Sequence, residues 1–148
     1  MSLFLLTIEE RFSAALHNAA RSWRQALDRR LKHLGVGQAS WMAIAVIAKG
    51  GQPQSQTELA HKLGVEDPTM VSMIDRLVKA GFVARQPSPT DRRVKLVVLT
   101  DEGAALYRKV KAEADAFRIE FLANIDSDKL RATTELLEAL NSAAESTL

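Results

Sequence analysis

Residues 55–99 read SQTELAHKLGVEDPTMVSMIDRLVKAGFVARQPSPTDRRVKLVVL, and the change of hydrophobic period inside this stretch decides the fold. Ser55-Gln56-Thr57-Glu58 has the pattern of a capping box, and Leu59, Ala60 and Leu63 follow it, which predicts a short helix stopped at about Gly64. Asp67 then offers an N-cap acceptor and Pro68 a first helical residue. Met70, Val71, Ile74, Leu77 and Val78 form the apolar face of a second helix, which runs to Ala80 and stops at Gly81. Beyond Gly81 the period falls to two. Phe82-Val83-Ala84-Arg85 is strand-like, PSPTDRR is turn-like, and Val94 to Leu99 is β-branched and alternating, so the segment reads as a β-hairpin with a basic, irregular tip.

Working outward toward the N-terminus, Thr7-Ile8-Glu9-Glu10 has the form of a second capping box. Ile8, Phe12, Leu16, Ala19, Trp23, Leu27 and Leu31 recur at three- or four-residue steps, which predicts one long helix ending before Gly35-Val36-Gly37. Gln38 to Lys49 is apolar nearly all round, as suits a helix buried on most sides. On the C-terminal side helix restarts at Thr100-Asp101, carrying Leu106, Val110, Phe117, Phe121 and Ile125. Asp126-Ser127-Asp128 caps a last helix with Leu130, Leu137, Leu140 and Ala144 on its apolar face. The expected fold class is mainly α with a small β-hairpin.

The 148 residues hold 20 Lys plus Arg against 18 Asp plus Glu, 47% apolar residues and no Cys. That amounts to one globular domain, or one domain with an interface extension, and it excludes disulfides, thiolate metal sites, a cysteine nucleophile and thiol redox switching. The longest apolar run, Trp41 to Ala48, is far below the roughly 18 residues of a membrane span. The acidic turn after MSLFLL is unlike a secretory signal, so a cytoplasmic location is expected. Charge is unevenly distributed: residues 1–49 carry net +4, residues 50–100 net +2 and residues 101–148 net −4. Between Arg76 and Lys95 stand six basic residues against Asp91 alone, a footprint for phosphate or an ordinary solvated surface.

Two short helices joined by a Gly-containing turn have the form of a helix-turn-helix, whose second helix must bury one face and present short side chains to base edges. Thr69 and Ser72 occupy such positions, with Arg76 one turn further on; a plain helical hairpin would share much of this pattern. The hairpin that follows supplies a wing. An arginine at its tip suits a narrow minor groove, where negative potential is enhanced. Asp91 stands two residues before Arg93, where it can orient the guanidinium by a charge-assisted hydrogen bond or form an ordinary exposed salt bridge.

LGVGQASW, QTELAHKLGVEDPTMVSMIDRLVKAGFVAR and DRRVKLVVLTDEG, in this order and spacing, resemble the MarR family of winged helix-turn-helix regulators, and within it the SlyA-like branch. The resemblance covers nearly the whole chain. It implies that the helix from Pro68 reads the major groove through Thr69, Ser72 and Arg76. It further implies that Arg93, held by Asp91, enters the minor groove, with Arg85 and Arg92 as backbone or wing-supporting contacts and Ser55 as a further DNA-contacting residue. Where SlyA-like members often carry an arginine in mid-helix, this chain has Ser72-Met73, which bears on the operator it reads.

The resemblance also implies a homodimer, with residues 1–36 and 101–148 as its dimerisation region and 37–100 as the winged helix-turn-helix. Long apolar stripes near both termini agree, because a small domain has little use for them unless a second chain covers them. The implied function is a transcriptional regulator, a repressor, on a pseudo-palindromic duplex operator. Release by a small aromatic acid or phenol is a further family trait, and His17, Arg21 and Trp41 could line its pocket; plain core for Trp41 and a solvated Arg21 are the other reading. His17, His33 and His61 lack metal-ligand spacing, and no nucleophile elbow, P-loop or dinucleotide fingerprint occurs, so neither a metal, a cofactor nor an enzyme is expected. The rival reading is a winged-helix dimer that docks a protein partner without sequence-specific DNA binding.

Overall fold

The computed structural model describes residues 5–147. Its elements are α1 (Ile8–Leu31), a single 3₁₀ turn (Lys32–Leu34), α2 (Gln38–Lys49), β1 (Gln54–Ser55), α3 (Gln56–Leu63), α4 (Asp67–Lys79), β2 (Val83–Pro87), β3 (Lys95–Leu99), α5 (Asp101–Leu122) and α6 (Ser127–Glu145). The fold is mainly α with a small antiparallel sheet, as the sequence predicts. Two compact units divide the chain after residue 115, inside α5.

Unit 1 is built around α2. Trp41, Ala43, Ile44 and Ile47 of this helix are buried together with Leu59 and Ala60 of α3, Met70, Ile74 and Leu77 of α4, and Leu27 and Leu31 of α1. Each start and stop has a local cause. Thr7 Oγ1 accepts from Glu10 N at 3.1 Å while the Glu10 carboxylate takes Thr7 N at 3.4 Å, completing the capping box at α1. At α3 the box is only half formed: Ser55 Oγ accepts from Glu58 N, but the Glu58 carboxylate receives the Ser55 hydroxyl instead of its backbone amide. The N-cap of α4 is Glu66, without a side-chain bond, so the helix starts one residue earlier than expected, with Asp67 and Pro68 at its first two positions. Proline costs nothing there because first-turn amides have no intrahelical acceptor.

Gly64 sits in the left-handed region at φ 69° and lets Val65 N reach Ala60 O at 3.0 Å, closing the turn between α3 and α4. The sheet holds a strand the sequence does not announce. β1 has two residues, pairing Gln54 with Val97 and Ser55 with Leu96, and gives the strand order β1-β3-β2. A run so short shows no alternation. β2 and β3 pair from Val83 with Leu99 out to Pro87 with Lys95, which extends the first hairpin strand by two residues beyond Arg85. Thr100 anchors the base of the hairpin, its hydroxyl donating to Gly81 O and accepting from Gly103 N at the first turn of α5. Arg30 of α1 joins the first part of α5 through Glu113 at 3.1 Å.

Unit 2 holds the end of α5 and all of α6. Asp126 caps α6 by accepting from Lys129 N at 3.0 Å. The rings of Phe117 and Phe121 lie 5.1 Å apart within α5. Ile119, Phe121, Ile125, Leu136, Leu137 and Leu140 are exposed in the single chain, and so, in unit 1, are Ile8, Phe12 and Leu16. The α1 stripe is therefore core only at its C-terminal end. No helix among the described residues is long and apolar enough to cross a membrane.

Candidate nucleic-acid interface

The amphipathic spacing of α4 divides it lengthwise. Met70, Met73, Ile74 and Leu77 are buried, while Thr69, Ser72 and Arg76 are exposed on one face. Packing of the first set fixes the rotation that presents the second. Of the pair that stands in place of a mid-helix arginine, Met73 turns inward and only Ser72 faces out.

At the hairpin tip, Ser88 organises the turn by accepting from the amides of Thr90 and Asp91 at 3.3 and 3.4 Å. Asp91 then holds Arg93 three ways: Oδ1 accepts from Arg93 N at 3.0 Å and from Nε at 3.2 Å, and Oδ2 accepts from a terminal guanidinium nitrogen at 3.3 Å. The side-chain bond to Arg93, and after it the bond to the Arg93 amide, holds the Asp91 carboxyl below its ordinary pKa. The Arg93 side chain remains 90% exposed, so the pair contributes little to stability and the guanidinium is free to meet a partner while its direction is set. Arg92 beside it is also exposed.

Arg85 is placed otherwise. It lies mid-strand on β2, half-buried, and its guanidinium donates to Gln56 Oε1 at 2.8 Å, to Asp75 Oδ1 at 2.6 Å and to Val71 O at 3.5 Å. It is tied inward to α3 and α4 rather than outward with Arg92 and Arg93. Ser55 is engaged in capping α3. Gln56 and Asp75 are not marked in the sequence, because a side chain meeting a strand 29 or 10 residues away leaves no local periodic signal.

The three pocket residues named from sequence do not come together. Trp41 is buried and its indole donates to Asp28 Oδ1 at 3.0 Å, whereas His17 and Arg21 are exposed on α1. At about 1.5 Å of rise per residue, Arg21 and His17 lie about 10 and about 16 Å along the helix from Asp28. Arg21 meets Asn18 instead, at 3.1 Å. A cavity of about 310 Å³ does open nearby, lined by Arg24, Gln38, Ala39, Met42, Leu63, Val65, Thr69 and Met73. It has an apolar wall and one cation, and it touches the first turns of α4. Its lining leaves no local signal in the sequence because it draws on α1, α2, the end of α3 and α4. Among the described residues no group of three or more His, Asp or Glu converges as a metal site would require.

Comparison with known proteins adds four findings. The model of the MarR family matches residues 42–95, which run from within α2 to the first residue of β3. The crystal structure of the transcriptional regulator PA3341 is 35% identical, covering 91% of this chain and 98% of its own, with a TM-score of 0.85. A cysteine-to-serine mutant of MarR from E. coli, solved in complex with operator DNA, is 26% identical over 88% of this chain and 93% of its own, with a TM-score of 0.79. Staphylococcus aureus MarR, solved with salicylate and kanamycin, shares the fold at a TM-score of 0.83 and 21% identity, with 95% of each chain covered.

Proposed function

The chain belongs to the MarR family of transcriptional regulators, and on that premise we propose that it is a SlyA-like, cytoplasmic, homodimeric repressor that binds a pseudo-palindromic operator in duplex DNA. The observation that carries this reading is the wing tip, where Asp91 aims an exposed Arg93 from the same unit that displays Thr69, Ser72 and Arg76 on one face of α4. Phosphate contacts give affinity and register, and side chains at base edges give sequence. Arg92 suits the first task; Thr69, Ser72 and Arg76 suit the second, and Arg93 reads minor-groove shape. A dimer places two such sets about one helical turn of DNA apart. The exposed apolar residues of α1, α5 and α6 are the surface a second copy would cover.

The test is selection of the purified chain against a random-sequence duplex pool, followed by titration of the enriched duplex and a scrambled control at several salt concentrations. An enriched, inverted-repeat sequence bound with steep salt dependence is the expected result. No enrichment, or salt-insensitive binding, would move the reading to a winged-helix dimer that docks a protein.

The cavity beside α4 supports effector control by a small aromatic acid or phenol. Its volume is at the low end for ligand sites. Arg24 supplies a carboxylate anchor there and Met42, Leu63, Val65 and Met73 an apolar wall, roles expected from the sequence of His17, Arg21 and Trp41. Thr69 belongs both to this lining and to the reading face, so ligand and operator should weaken one another by the same factor. With salicylate as the probe, calorimetry on wild type and on Arg24→Ala should show binding lost in the variant; equal binding in both would remove Arg24 as the anchor.

A further inference from the structure

Arg85, on the first strand of the hairpin, directs its charge into the fold, and it does so with three acceptors on two helices. Its Nε meets the side chain of Gln56, the first residue of α3. One terminal nitrogen meets both the Asp75 carboxylate and the Val71 carbonyl, one turn apart on α4. Asp75 is itself 60% exposed and next in sequence to Arg76, so an acidic group stands beside a surface expected to meet polyanionic DNA. For DNA affinity alone that carboxylate is unfavourable. Its use lies in what it holds.

At about 100° per residue, Val71 and Asp75 lie about a third of a turn around α4 from the centre of the Thr69, Ser72 and Arg76 face. On that face's other flank, Thr69 and the buried Met73 border the cavity. The buried face sets the rotation of the helix to first order, and on the flank away from the cavity Arg85 adds polar ties to it from β2. A guanidinium can do this because its planar fork serves several acceptors at fixed angles, whereas an ammonium would hold one as a point charge.

We propose that Arg85 is a positioning residue for operator recognition: bridging β2, the start of α3 and α4, it refines the roll that the buried face gives the recognition helix and ties that helix to the wing, with Asp75 as its partner, and thereby contributes sequence selectivity rather than a phosphate contact. This rests on the DNA-binding reading above and deepens it. Arg76 and Arg93 make contacts; Arg85 determines whether they reach the same site together.

The test uses the full chain, the duplex enriched from the random pool and a scrambled duplex. Arg85→Gln and Asp75→Asn should each cut the preference for the enriched duplex by about ten-fold, and the double variant should lose no more than either alone, as expected for residues acting as one unit. Arg85→Gln should leave the slope of log K against log salt unchanged. Asp75→Asn should bind scrambled duplex as tightly as wild type or more tightly, since it removes a negative charge. Arg85→Lys, which keeps the charge and loses the fork, should not restore the preference. The proposal is overturned if Arg85→Gln weakens both duplexes alike and lowers the salt slope by about one, the signature of a lost phosphate contact. It is also overturned if Arg85→Lys is wild type, if Asp75→Asn keeps full preference, or if lost preference merely tracks the fraction unfolded in a thermal melt. A wild-type chain that enriches no sequence fails at an earlier step: it removes the DNA-binding reading, and the positioning role with it.

Discussion

Asp91 and Arg93 show how two residues at a loop tip acquire a defined geometry from spacing. A carboxylate two positions ahead can bond both the amide and the guanidinium of the later residue, and it does so here at 3.0 to 3.3 Å. The pair was legible in the sequence because the interaction is local. Arg85 was not legible in the same way, because its acceptors come from α3 and α4. Arg93→Ala should weaken binding to the enriched duplex by about ten-fold or more, leaving the oligomeric state unchanged; a change below two-fold at moderate salt would remove the minor-groove role. Asp91 has a depressed pKa, so the contribution of its pair with Arg93 is present above the ordinary carboxylate pKa and is lost only as pH falls through the lower, folded-state value. Carboxyl shifts followed by NMR should therefore show Asp91 titrating below the usual range in wild type and returning toward it in Arg93→Ala. Wing order should stay constant from neutral pH down to mildly acidic pH.

Elements were legible wherever they are long, periodic or capped. The bounds of α1, α2 and α6 follow from Thr7, the Gly35 to Gly37 break and Asp126. α4 starts one residue earlier than expected because Glu66 O already accepts from Met70 N, a backbone bond that makes Glu66 the N-cap although its side chain caps nothing. β1 exists only because β3 presents an edge to Gln54 and Ser55. Two glycines carry contrasting demands. Gly64 requires a left-handed backbone with open space around it, so Gly64→Ala should cost about 1–2 kcal/mol of conformational strain. Gly103 sits where a Cβ would lie 1.9 Å from the Phe82 carbonyl oxygen, so Gly103→Ala must shift α5 off the hairpin base and should cost about 1–3 kcal/mol, with overpacking rather than strain as the cause. Urea titrations measure both losses. A Gly103→Ala chain as stable as wild type would show that the approach of α5 to Phe82 is loose.

For the whole molecule, the question is what covers the apolar faces that one chain leaves open. Phe12 and Leu16 of α1 are about two-fifths exposed, as is Leu137 of α6, while Ile119 is nearly three-quarters exposed. Scattered exposed leucines are ordinary, but runs of them at helical spacing signal an interface. Under the homodimer reading, Phe12→Asp and Leu137→Asp should each halve the apparent mass in analytical ultracentrifugation and lose operator binding, because one half-site is then left to each chain. Unchanged mass in both variants would refute a dimer built on these faces.

The sequence by itself determined the order of helices, the hairpin and its basic tip, since periodicity, caps and turn residues act within a few positions of one another. Composition alone excluded thiol chemistry. Only the tertiary structure decided which charges face inward. It committed Arg85 to α3 and α4, brought Arg24 beside Met42 and Met73, separated Trp41 from His17 and Arg21, and turned Met73 rather than Ser72 into the fold. These outcomes depend on the relative placement of elements far apart in the chain, and that placement is set by the packing around α2, which no local pattern encodes.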